Sequence, residues 1–102
     1  MIRHHVLITL NDDAQDVADQ IVAELAAYAP TCETVRDYKV GRDIGLAPGT
    51  ATVAVVAEFD DVDGYQFYAQ DAGHVEIIER LIKPNAAGSF LSLPSRFRWL
   101  WP

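Results

Sequence analysis

ATVAVVAEF, residues Ala51 to Phe59, is the most apolar strand pattern in the chain, and it decides how the rest must be arranged. By the two-residue repeat of a strand, Val53, Val55, Ala57 and Phe59 fall on one face and Thr52, Ala54, Val56 and Glu58 on the other. Neither face reads as solvated before Glu58, so a central strand covered on both sides is expected. Asp60, Asp61 and Asp63 follow, bringing negative charge to the start of a helical region, where it complements the positive end of the helix dipole. That region holds YQFYAQDAGHVEIIERLI, Tyr65 to Ile82, a helical run broken once at Asp71-Ala72-Gly73. Tyr65, Tyr68, Ala69 and Ala72 share a face before the break, and His74, Ile77, Ile78 and Leu81 share one after it. A phenol at Tyr68 and an imidazole at His74, held on either side of the break, make a candidate acid/base pair.

Upstream of the central strand, TVRDYKVGR, Thr34 to Arg42, reads as a second strand. Arg36, Asp37 and Lys39 interrupt it with charge, as edge strands do to discourage pairing with other chains. Gly45 and Pro48-Gly49 mark the loop between the two strands. A first helix is predicted from about Ala14 to Tyr28: Val17, Ile21, Leu25 and Tyr28 recur at helical spacing, Asn11-Asp12-Asp13 supplies turn and capping chemistry, and Pro30 forbids continuation. Ala23, Ala26 and Ala27 keep volume low near its end, which either leaves room for a pocket or lets the helix pack closely on the sheet. Ile2 to Leu10, IRHHVLITL, is the first strand, with His4, Val6, Ile8 and Leu10 opposite His5, Leu7 and Thr9. Downstream, Pro84 ends the second helical region, and SFLSL, Ser89 to Leu93, is a short fourth strand closed by Pro94. The domain is thus expected over residues 1–94, with an aromatic extension, SRFRWLWP, over 95–102.

Length and composition narrow the functional classes. The chain has 102 residues, 50% hydrophobic and 23% charged, an ordinary composition for one globular domain. No run approaches the roughly 20 apolar residues that span a bilayer. A formal charge of −7 repels phosphate backbones, so nucleic acid is not expected as a partner. The N-terminus enters a strand directly, with no signal-peptide core, and Cys32 is the single cysteine; a cytoplasmic protein without an intrachain disulfide is expected. Asp61-Val62-Asp63-Gly64 imitates part of a calcium loop, but the first ligand position would be Phe59 and the twelfth Gln70, so these aspartates read as caps. His4 and His5 point to opposite faces and cannot chelate one metal, and no metal or cofactor is expected.

The order β-α-β-β-α-β, as a split βαβ pair, predicts an α+β, ferredoxin-like fold: a four-stranded antiparallel sheet with both helices on one face. Because strands one and three are apolar on both faces, the uncovered face needs a second cover. A second copy across a two-fold axis is the economical one, so a homodimer through the sheet face is expected, forming a dimeric α+β barrel.

The chain resembles the stress-responsive A/B barrel domains, also called dimeric α+β barrel or Dabb proteins. The resemblance runs from Ile2 to about Leu93 and is carried by IRHHVLITLNDD, VRDYKVGRD, VAVVAEFDD and YAQDAGH in that order. Some members, notably plant polyketide cyclases acting on a linear poly-β-ketone thioester, are cofactor-free enzymes that use a tyrosine and a histidine beside a buried pocket. The family tyrosine falls on Tyr68, the histidine ending the His-Pro-Ala-His stretch on His74, and the strand-one histidine on His4. The other positions of that stretch are Asp71, Ala72 and Gly73 here, and a further cyclase histidine on strand three is Val53. The resemblance implies catalytic roles for His74, Tyr68 and His4; a substrate pocket between helix one and the sheet is expected to be lined by Val53, Val55, Tyr65, Ala23 and Ala27. The chemistry is coherent: a methylene between two carbonyls is acidic, a neutral imidazole can take its proton, and a phenol can donate to the enolate oxygen. A core histidine bonded to a backbone carbonyl explains His74 equally well. Three functions stay open: a cofactor-independent cyclase-like or lyase-like enzyme acting on an apolar carbonyl compound, a non-catalytic stress-associated dimer binding a small apolar ligand, and a cofactor-free monooxygenase.

Overall fold

The computed structural model describes residues 1–88 and 90–97. Its main elements are β1 (Ile2–Ile8), α1 (Ala18–Tyr28), β2 (Asp37–Arg42), β3 (Val53–Phe59), α2 (Val62–Gln70), α3 (Ala72–Ile77) and β4 (Leu91–Arg96). The sheet is antiparallel with strand order β2-β3-β1-β4, the ferredoxin-like α+β arrangement. β1 and β3 are its central pair, as their two-sided apolar character requires.

Register aligns the buried residues into rows that run across the sheet. Val6 faces Val55 and then Val40; His4 faces Ala57 and then Tyr38. On the other side of β1, His4 pairs with Pro94 and Val6 with Ser92. Ile2, His4, Val6 and Ile8 of β1 and Val53, Val55, Ala57 and Phe59 of β3 are all buried beneath the helices. His5 lies on the opposite face, half-buried, as strand alternation dictates.

The helix starts follow the capping chemistry in one case and depart from it in the other. Asp61 caps α2, accepting from the Gly64 amide at 2.8 Å. Asn11 makes no side-chain cap; a 3₁₀ turn, Asp12–Val17, leads into α1, and a second, Ala29–Thr31, accommodates Pro30 after it. α1 buries Ala18, Ile21, Leu25 and Tyr28. Ala23, Ala26 and Ala27 are exposed on its outer side, so they do not bring the helix closer to the sheet, and Ala26 borders only an open surface hollow beside Pro30 and Val35.

Two strand boundaries differ from expectation. β2 starts at Asp37 rather than Thr34, because Cys32 to Val35 forms a turn and the Thr34 hydroxyl donates to the Gly64 carbonyl at 2.8 Å, pinning the start of α2. Pro94 does not close β4, which runs on to Arg96. β4 is an edge strand, where the missing proline N–H leaves no ladder bond unmade. The expected 95–102 extension therefore begins inside the sheet, and the Phe97 ring lies beneath the Arg3 guanidinium, 4.0 Å from carbon to ring centre. Trp99 and Trp101 lie outside the described residues.

The face away from the helices carries Leu7, Leu91 and Leu93, which are 46%, 70% and 60% exposed, beside an Arg3–Glu58 ion pair at 2.8 Å. No helix among the described residues is long and apolar enough to cross a membrane.

Candidate active site

Tyr68 and His74 are six residues apart, and in an unbroken helix such residues sit about 120° apart around the axis. The break removes that separation. Asp71 adopts extended backbone angles (φ −63°, ψ 133°), ending α2 and starting α3 in one residue. The two rings then lie face to face, tilted by 33° with centroids 4.1 Å apart.

The break is held from α1. The Tyr28 hydroxyl donates to Asp71 Oδ2 at 2.8 Å, and its ring packs 5.9 Å from His74 and 6.2 Å from Tyr68. Gly73 makes room for that ring: a Cβ there would stand 3.1 and 3.2 Å from two Tyr28 ring carbons. Beyond α3 the helix widens into a π turn, Ile78–Ile82, which is pinned to α1 by Arg80 pairing with Glu24. Ile78 and Ile82, one π turn apart, face the same cavity.

That cavity, about 210 Å³, lies between the sheet and the broken helix. Its polar end is built by His4, Tyr38, Tyr65, Tyr68 and His74, and its apolar end by Val6, Ile8, Leu25, Val55, Ile82 and Phe90. The partly exposed Ala69, Ile78 and Phe90 and the exposed Ser92 border its open side, between the second helical region and the chain at β4. Among the sequence candidates, His4, Tyr68, His74, Val55 and Tyr65 therefore come together. Val53 is buried one row away and does not line the cavity, and Ala23 and Ala27 face outward.

Tyr38 is the polar wall residue that the sequence reading passed over. Its signal was present, since Tyr38 and Val40 alternate as an inward pair within a strand otherwise marked by charge. His4, Tyr65 and Tyr68 form one aromatic group with Phe59, with His4 centred 5.1 Å from Tyr65 and 5.8 Å from Tyr68.

Burial sets the protonation states. It pushes the His4 imidazole down to about 4, with further lowering from the neighbouring His74 and from His5. Burial also lowers His74, but the Ala69 carbonyl, the Asp71 carboxylate and the Tyr68 carbonyl oppose it. The Tyr68 phenol is raised well above the ordinary tyrosine range by burial and by the phenols of Tyr38, Tyr28 and Tyr65. Tyr38 is raised by burial as well. At neutral pH the site therefore presents two uncharged imidazoles and protonated phenols. The neighbouring His74 disfavours a charge on His4, while the Asp71 carboxylate favours one on His74.

Three of these groups are unpartnered. His4 Nδ1, His74 Nδ1 and the Tyr38 hydroxyl are shielded from solvent without a hydrogen-bond partner among the described residues. Buried orphan polar atoms are rare, and three in the wall of one cavity are groups that a bound molecule or ordered water would complete. Among the described residues no three His, Cys, Asp or Glu side chains gather to hold a metal ion.

The model of the stress responsive A/B barrel domain matches residues 2–92. The chain belongs to this family. No curated protein matches it. Among solved structures it is similar to a dimeric ferredoxin-like protein of unknown function from Thermobifida fusca, at 29% identity and a TM-score of 0.83 over 94% of this chain and 90% of that one. It is also similar to a hydroxynitrile lyase from Passiflora edulis, at 19% identity and a TM-score of 0.80 over 99% and 96% of the two chains. A putative antibiotic biosynthesis monooxygenase from Deinococcus radiodurans gives 12% identity and a TM-score of 0.80 over 100% and 97%. The last two likenesses concern the fold alone.

Proposed function

We propose that this A/B barrel domain is a cofactor-independent enzyme, lyase-like or cyclase-like, that moves a proton next to the carbonyl group of a small apolar compound. The observation that carries this reading is a largely apolar cavity lined by His4, Tyr38, Tyr68 and His74, with the Nδ1 atoms of both imidazoles and the Tyr38 hydroxyl buried in its wall without a partner among the described residues. His74 is the base, because Asp71 and two backbone carbonyls sustain its basicity against burial. Tyr68 stays protonated and donates to the substrate oxygen as negative charge develops there. His4, held uncharged by burial and by its His74 neighbour, orients the substrate through its ring. The stacking of Tyr68 on His74 leaves each free to address a different atom of the substrate.

Cavity size supports a compact substrate. An apolar cavity of about 150 Å³ holds benzene, so 210 Å³ suits a small aryl or branched alkyl ketone or aldehyde. A longer polyketide chain would extend through the open side between Phe90 and Ile78. The Passiflora hydroxynitrile lyase shows only that this fold can carry a lyase, which keeps the lyase side of the reading open.

The functional unit in this reading is a homodimer. Support comes from the exposed leucines on the helix-free face and from the dimeric Thermobifida relative. A Leu93→Arg substitution places a charge in that face and is expected to give monomers by light scattering.

A second reading, a dimer that binds a small apolar ligand without turnover, draws on the same cavity. The test separates them. Thermal shift of the wild type against phenols, β-diketones and alkyl resorcinols identifies a ligand; at about 100 times its Kd it adds roughly 2.7 kcal/mol, a Tm rise of about 10 °C or more. A hit lost in Tyr68→Phe and His74→Ala supports the site. A hit consumed by wild type but not by these variants supports the enzyme. A hit bound without conversion favours the ligand carrier, and no hit in the whole panel counts against both.

A further inference from the structure

Tyr38 has no role in the chemistry described so far, yet its hydroxyl is fully shielded and unpartnered. The row Tyr38–Ala57–His4 runs across β2, β3 and β1, so two polar rings flank a single methyl group. Adjacent strands are about 4.8 Å apart, so the outer two positions are separated by the width of two strand spacings. Tyr68 descends from α2 between them, its ring centred 5.8 Å from His4 and 6.5 Å from Tyr38. The small Ala57, with no exposed surface, leaves that space to the ring.

The Tyr38 and Tyr68 phenols are near enough to influence each other but do not meet in hydrogen-bond geometry, so the Tyr38 hydroxyl has no partner among the described residues. A phenylalanine at position 38 would fill the same volume on an edge strand without burying an orphan hydroxyl. A buried polar group lacking a partner is destabilising, so packing alone gives no reason for the hydroxyl. A ligand oxygen does. Phenols are neutral donors, and two in one cavity wall with ring centres 6.5 Å apart, beside the uncharged His4 and His74, suit an oxygen carrying or gaining negative charge.

We propose that the Tyr38 and Tyr68 hydroxyls together form a two-donor site for a ligand oxyanion, an enolate or phenolate oxygen held between β2 and α2. This deepens the carbonyl-chemistry reading and rests on it for the identity of the natural ligand, although the site itself is testable without turnover. The groups facing the oxygen are Tyr38 from β2, His4 from β1, Tyr65 and Tyr68 from α2 and His74 from α3. None is a carboxylate, so nothing in the wall opposes an anion directly.

The experiment uses 4-nitrophenol at mildly alkaline pH, where it is a phenolate and its absorbance reports binding, and nitrobenzene as the counterpart without the oxygen, read by thermal shift. The wild type is expected to bind the phenolate more tightly than nitrobenzene. Tyr38→Phe is expected to weaken phenolate binding by about tenfold, the effect of one charge-assisted hydrogen bond, leaving nitrobenzene binding unchanged and Tm equal or higher. Tyr68→Phe should weaken the phenolate similarly. Phenolate binding unchanged in Tyr38→Phe overturns the proposal, as does an equal loss for both probes together with a lower Tm, or a wild type that shows no preference for the phenolate. Phenolate clamping without any turnover would leave this site standing and count against the enzyme. Turnover indifferent to Tyr38→Phe would do the reverse.

Discussion

The two helical layers over the sheet are built from similar residues and do different things. α1 is continuous: Ala18, Ile21, Leu25 and Tyr28 recur at helical spacing and cover the sheet with apolar surface. The second layer is interrupted at Asp71 and widened at Ile78–Ile82, and each irregularity turns side chains inward that a regular helix would spread around its axis. A continuous helix supplies stability, and a broken one supplies a site. Two α1 residues bridge the two roles: Leu25 covers the core and lines the cavity, and Tyr28 covers the core with its ring and holds the break with its hydroxyl.

Ile21→Ala should separate the two roles most strongly. Ile21 is fully buried beneath α1 and does not line the cavity, so truncation is expected to cost about 2 to 5 kcal/mol with ligand affinity unchanged. Denaturant unfolding and ligand titration below the new Tm check this; a large affinity loss would break the contrast.

The pH dependence of stability comes next. The folded-state pKa of His4 lies below its unfolded value, so the unfolded chain binds the extra proton. Its contribution is complete above about pH 6.5 and is lost as pH falls from there toward about 4. The loss is on the order of 2 kcal/mol, and unfolding of His4→Gln across this window should show a flatter profile. An unchanged profile would mean that His4 is already solvated in the native state.

Tyr28→Phe is the smallest change and the sharpest. It removes one hydrogen bond to a carboxylate, worth about 1.5 to 3 kcal/mol at most and less at this part-buried position. Asp71→Asn is expected to lower the His74 pKa further, since the carboxylate supports its protonated form. Proton NMR titration of the His74 ring reads this directly, and a His74 pKa that rises instead would contradict the part assigned to Asp71.

Much of this was legible because strand and helix periods are local. The alternation of Ile2 to Ile8 and of Val53 to Phe59 placed His4 and Val55 inward, and Asp71-Ala72-Gly73 announced the break between Tyr68 and His74. The same logic, carried through, also excludes Ala23 and Ala27, because they stand on the side of α1 opposite Ile21 and Leu25. What was not legible depends on distant partners. The Tyr28–Asp71 bond joins residues 43 apart. Pro94 looks like a terminator until β4 proves to be an edge strand, and Tyr38 was hidden among the charges of the opposite edge. Val53 was carried to the cavity by family position, whereas the register sets it beside Ile8, one row beyond the lining residue Val55.

The most direct test of His74 as a base in an apolar carbonyl site is exchange of carbon-bound hydrogen. A small β-diketone and an aryl ketone would be incubated with the protein in heavy water, and deuterium incorporation next to the carbonyl followed by proton NMR. Wild type is predicted to accelerate exchange by at least about 100-fold over buffer, the lower range for a positioned general base, and His74→Gln to return it to background with the fold intact. Exchange at the buffer rate with wild-type protein, or undiminished in His74→Gln, would contradict the account.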